Sequence, residues 1–195
     1  MVTSSRGLEE SNCDLVYIVD RKHGEPWLLS AHRLAGVDDA ANTDIATLLK
    51  YEEPISSIKV LERGRVIVAT SGVQLIIGYC KNPSTPELKD LFYTWRIVEC
   101  PEWIAGFDVR TRHRMVQNQA EKKGMVSEAV DVAIGGLKGS IHIYEDLLNQ
   151  LIRRERRKES IDITSRRLHW HRNSVLTIKW SLDGEYGLAL RTISC

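Results

Sequence analysis

Three clusters in this 195-residue chain hold residue types that could do chemistry. His169 and His171 alternate, so both imidazoles would stand on one face of a strand, where two ring nitrogens could begin a metal site. A zinc site needs further ligands, and no Asp, Glu or Cys lies beside them at a chelating spacing. Gly135-Gly136-Leu137-Lys138-Gly139-Ser140 has the glycines and the lysine of a phosphate loop. It lacks the G-x-x-x-x-G-K-[ST] spacing and runs into a strand pattern rather than a helix, so it reads as a hairpin turn. Ser181, Asp183 and the histidines come without the glycines of a nucleophile elbow or an oxyanion hole. The expectation is therefore of no catalytic residue, no metal, no cofactor and no small-molecule substrate. Cys13, Cys80, Cys100 and Cys195 are widely spaced and form no C-x-x-C pair, which argues for reduced thiols rather than zinc or a disulfide scaffold.

A further cluster is basic. Between residues 153 and 172 there are eight Lys/Arg against Glu155, Glu159 and Asp162, in a chain whose formal net charge is only +1. Arg153, Arg154, Arg156, Arg157, Lys158, Arg166 and Arg167 are the candidate RNA- or partner-binding residues, because planar guanidiniums suit phosphate oxygens. A solvated helix face would carry the same residue types. The weight of arginine over acid favours RNA or an acidic protein surface.

These residues need elements to hold them. Leu147, Leu148, Leu151 and Ile152 fall at helical spacing within residues 146–160, and the other face of that helix is Arg-rich. A strand is expected around residues 166–170. Residues 175–180 alternate with period two, Val175, Thr177 and Lys179 against Leu176, Ile178 and Trp180, and Asp183-Gly184 turns the chain into a return strand at 185–190. Upstream, residues 129–145 read as two strands about Gly139. Three strands between residues 55 and 79, joined by glycine turns, are followed by a fourth at 91–98. The pattern restarts at 103–110, about one period of 40–50 residues later, before a basic loop at 111–128.

Residues 1–13 read as a polar tail. Residues 14–20 and 27–32 read as a hairpin, and 36–51 fits either a helix or a loop. Trp27, Trp95, Trp103, Trp170 and Trp180 sit in strand patterns, as core residues rather than platforms for stacked bases. No apolar run reaches the length of a spanning helix, and the N-terminus has no basic-then-apolar leader pattern.

His171 four positions before Val175, a strand ending in Trp180 and a turn at Asp183-Gly184 resemble the first half of a WD-repeat blade. Gly139 matches that family's hairpin glycine, Ile141 and Ile143 its inward positions, and Tyr144-Glu145 its Trp-Asp pair. Lys138 stands where the family usually carries an Asp of a His-Ser/Thr-Asp-Trp network, which implies a blade without that network. The resemblance makes His171, Val175, Trp180, Asp183, Gly184, Gly139 and Tyr144 structural blade residues. It implies an all-β fold, a WD-repeat β-propeller over residues 14–195 with a short inserted Arg-rich helix. About three blades are expected, incomplete as a ring, with partial blades at both ends as in a fragment of a longer protein.

Residues 133–141, the Asp-Leu-Leu helix rich in arginine and residues 166–184 also resemble, more narrowly, the Nan-type WD-repeat subunits of the UtpA complex of the small-subunit processome. That likeness implies a non-catalytic scaffold in the nucleus and nucleolus, supporting transcription by RNA polymerase I and processing of the small-subunit rRNA precursor. Its partners would be other UtpA-type subunits, precursor rRNA and small nucleolar RNA-protein particles, with no membrane. A WD-repeat adaptor in another nuclear or cytosolic complex is the alternative, since a fold alone does not name a partner.

Overall fold

The structure, a computed structural model, describes residues 2–5, 15–33, 44–83, 85, 87–116, 125–157, 163–169 and 171–181. The chain divides into two compact units, Met1–Glu99 and Cys100–Cys195.

The first unit holds two antiparallel sheets, each following chain order. β1 (Val2–Ser5), β2 (Leu15–Asp20), β3 (Trp27–Arg33) and β4 (Ile45–Tyr51) form one. β5 (Ser57–Leu61), β6 (Val66–Ser71), β7 (Gln74–Cys80) and β8 (Tyr93–Glu99) form the other. Every residue of β6 is buried, as expected of a strand covered on both faces. Tyr17, Leu29, Ile58, Ile67, Ala69, Ile76 and Tyr93 make a core to which both sheets contribute. The Trp95 indole donates to the Leu48 carbonyl at 2.9 Å, tying β8 to β4. Gly78 lies flat beneath the Trp95 ring, where any Cβ would overlap it.

Two sequence expectations change in this unit. Val2–Ser5, read as part of a tail, pairs antiparallel with Leu15 to Ile18, because Val2 and Thr3 can extend an edge that needs only backbone groups. Residues 45–51, whose sequence fits either a helix or a loop, form β4 and pair with β3 through an irregularity at Leu29/Ser30. That shift of register interrupts the alternation by which a strand is recognised in sequence.

The second unit contains β9 (Ile104–Val116), β10 (Met125–Gly136), β11 (Ser140–Tyr144), α1 (Leu147–Arg157) and β12 (Arg166–His169), in sheet order β12-β11-β10-β9. α1 is thus inserted between the third and fourth strands. Its Leu147, Leu148 and Leu151 are buried, and Arg153 and Arg154 are exposed. Ala133, Ile141, Ile143, Val175 and Ile178 form the core, with Leu168 and Trp180 packed against it.

The expected loop at 111–128 is shorter than read. Residues 111–116 and 125–128 continue a long β9–β10 hairpin that pairs Val116 with Met125. The expected strand at 175–180 makes only one bridge, at Thr177. Its backbone is bound elsewhere: the Val175 amide donates to the Gly136 carbonyl at 3.0 Å, and the Trp180 amide donates to Asp108 Oδ2 at 2.8 Å. The expected return strand at 185–190, together with Asp183 and Gly184, lies outside the described residues. Across the described residues the architecture is all-β, in three four-stranded antiparallel sheets with one helix.

Candidate functional site

A cavity of about 500 Å³ opens beside α1 in the second unit. Arg153 and Gln150 reach it from α1, Arg166 and Ile143 from β12 and β11, Arg112 from β9, and Glu145 and Asp146 from the turn entering the helix. Thr164 and Ser165 complete the wall. The floor of the groove is fixed by hydrogen bonds. Gln150 Oε1 accepts from the Thr164 amide at 3.2 Å while its Nε2 donates to the Glu145 carbonyl at 2.6 Å, so one side chain links helix, turn and the approach to β12.

Behind this wall lies a buried carboxylate. Asp131, on β10, has no solvent exposure. It accepts from Arg112 Nε and Nη2, from Arg110 Nε at 2.9 Å and from the Asp146 amide at 2.9 Å. Burial alone would push its pKa up, but Arg112, the Asp146 amide and Arg110 together hold it below the usual aspartate range. The Asp131 hydrogen bond correspondingly raises the Arg112 pKa. Arg110 also lies 4.0 Å from the Trp180 ring centroid, a cation–π distance. Two guanidiniums therefore share one buried anion, and Arg112 carries positive charge into the groove at a fixed place. Three guanidiniums face two carboxylates around the cavity, Arg112, Arg153 and Arg166 against Glu145 and Asp146. Such a lining can bind an anion through its arginines and accept hydroxyl or amino protons through its acids.

A second buried polar cluster sits at the β10–β11 turn. Glu102 is buried, accepting from the Ser140 hydroxyl through Oε1 and from the Lys138 amide at 2.6 Å through Oε2. His142 Nε2 stands 3.6 Å from Glu102 Oε1. Burial opposes ionisation of Glu102, and the Ser140 hydroxyl, the Lys138 amide and His142 outweigh it, leaving the pKa low. For His142, burial is the main cause of a lowered pKa, with Glu102 opposing it and Arg167 adding to it. Gly136 is required here, because a Cβ would overlap the Glu102 carboxylate. Gly139, at φ +84°, closes the turn against the His171 carbonyl.

The structure brings together only part of the predicted basic set. Arg153 and Arg166 share the cavity. Arg154 and Arg167 are exposed but do not line it, and Arg167 pairs in register with His142 on β11 rather than with Ile143 as Arg166 does. Arg156 and Arg157 lie on the last turn of α1, and Lys158 falls outside the described residues.

Among the expected blade residues, Val175 is fully buried, against Gly135, and Tyr144 is buried with its hydroxyl donating to Cys100 Sγ at 3.5 Å. Burial pushes the Cys100 thiol up to about 11, so it is protonated at neutral pH and a poor nucleophile. His171 is half-buried, and its Nε2 has no hydrogen-bond partner among the described residues.

Arg112, Asp131, Glu102 and His142 were not singled out in the sequence. Asp131 does leave a trace, as a lone acid inside the apolar run Val130-Asp131-Val132-Ala133. Among the described residues no three of His, Cys, Asp or Glu converge as a metal site would need. No protein-family model matches the chain, and no curated protein matches it.

Proposed function

We propose that this chain is part of a WD-repeat-type β-propeller that works as a non-catalytic scaffold in the nucleolus, holding precursor rRNA within a UtpA-like assembly of the small-subunit processome. The observation that carries the RNA contact is the cavity where Arg153, Arg166 and Arg112 meet beside Glu145 and Asp146. The arginines suit phosphodiester oxygens, and the acids can accept from a ribose 2′-hydroxyl, the group that distinguishes RNA from DNA. Three successive four-stranded antiparallel sheets, each in chain order, support the propeller reading, since that is the strand content of a blade. The UtpA assignment rests on the sequence resemblance.

The test is ultraviolet crosslinking and affinity purification of the tagged protein from cells, beside an Arg153→Gln/Arg166→Gln variant. Recovery of pre-rRNA with other ribosome-assembly factors, with RNA crosslinking weakened in the variant, is the expected result. A stable complex free of ribosome-assembly factors overturns the nucleolar reading. Crosslinking unaffected by the variant overturns the cavity as the RNA contact.

A further inference from the structure

Away from the arginine-lined cavity, three large apolar side chains of the second unit stand in solvent: Trp103, expected from sequence in the core, is 61% exposed, Leu137 48% and Leu176 41%. Scattered exposed apolar residues are ordinary, but these three are not scattered. The Leu137 amide donates to the Trp103 carbonyl at 3.0 Å, the Ser174 hydroxyl donates to the Leu137 carbonyl at 2.8 Å, and the Val175 amide donates to the Gly136 carbonyl at 3.0 Å. Gly106 is packed against the Leu176 carbonyl so closely that a Cβ would overlap it. Three chain segments are therefore bonded into one junction, and each contributes an exposed apolar side chain.

Among the described residues of the three segments that form the junction, the exposed charges have one sign. Within residues 101–106, 136–140 and 171–177 the exposed charged residues are Lys138 and Arg172. The single carboxylate in those segments, Glu102, is buried and committed to the Lys138 amide and the Ser140 hydroxyl. An apolar centre with a cationic rim matches one chemistry well. We propose that the Trp103–Leu137–Leu176 junction docks an acidic peptide segment that carries aromatic or aliphatic anchors. The anchors cover the apolar side chains, and the carboxylates meet Lys138 and Arg172. The hydrogen bonds that join the three segments beneath the patch reduce the ordering needed on this side of the interface.

The experiment is selection of a random-sequence peptide display library on the full chain, with a Leu137→Ser/Lys138→Glu variant as counter-target. Enriched peptides are then synthesised with a fluorophore and measured by anisotropy. Acidic sequences with Phe, Trp or Leu should be enriched. Leu137→Ser should weaken their binding by about tenfold or more, the loss typical of truncating a central anchor. Lys138→Glu should weaken it further and make it less sensitive to salt. Both positions are exposed, so melting temperatures should hold, and Arg153→Gln/Arg166→Gln should bind the peptides as the unaltered chain does.

No enrichment over the counter-target, or enrichment of basic or purely polar sequences, overturns the proposal. So does self-association that Leu137→Ser abolishes, which would make a second copy the occupant, or displacement of the peptides by a single-stranded RNA oligonucleotide.

Discussion

Glu102 shows how much one side chain can hold. Its carboxylate satisfies the Lys138 amide and the Ser140 hydroxyl, sits against Gly136 and faces His142. Replacing it with alanine leaves buried donors unmet, at a cost of about 1–3 kcal/mol for each. Glu102→Ala should therefore lower the melting temperature by several degrees, readable by circular dichroism.

The pH dependence has a definite sign. Glu102 has a folded pKa below its ordinary 4.5, so its contribution is complete above that value and is lost as pH falls through the folded pKa. His142, whose folded pKa lies below 6.5, remains neutral in the fold while the unfolded chain takes up a proton; its share of stability starts to fall earlier, as pH drops below 6.5. Melting temperature should thus decline in two stages on acidification. His142→Gln should flatten the first stage and leave the second, and a variant curve parallel to that of the unaltered chain throughout would refute the assignment. None of this was legible in the sequence, because Glu102 and Ser140 are thirty-eight positions apart and only the folded turn joins them.

At the scale of elements, alternation and glycine turns made most strands of the two later sheets readable, and the spacing of Leu147, Leu148 and Leu151 made α1 readable. What was missed follows from what strands ask of their residues. β1 needs only backbone pairing, β4 crosses an irregular register, and the outer part of the β9–β10 hairpin carries His113 and Arg114 within a polar stretch that resembles a loop. In the basic cluster, Arg153 and Arg166 were found by composition, but Arg112 was not, since its place in the groove depends on Asp131.

Two predictions belong here. Gly139→Ala puts a side chain at φ +84° against the His171 carbonyl, and should destabilise the β10–β11 turn by about 1–3 kcal/mol; an unchanged denaturant midpoint would show the turn to be adaptable. Arg153→Gln/Arg166→Gln should make the slope of log affinity for single-stranded RNA against log salt shallower by about 1.4, or 0.7 for each phosphate that is no longer neutralised. Titration across a salt series measures it, and an unchanged slope would remove both residues from the RNA interface.

At the scale of the whole molecule, each unit has its own buried core, with Ile67 fully buried in one and Ile134 in the other. Ile67→Ala and Ile134→Ala should each cost about 2–5 kcal/mol. Amide hydrogen exchange should show faster opening within the altered unit and little change in the other; uniform loss of protection would mean that the two cores melt as one. The order of strands within each sheet bears on biosynthesis. Among the described strands, those of the first unit pair with their neighbours in sequence, and in the second the longest step between paired strands is the one over α1 to β12. Pairings between near neighbours form with little loss of loop entropy. As the chain leaves the ribosome, each sheet can close before the next is translated, with β12 adding to its sheet only after α1 has emerged.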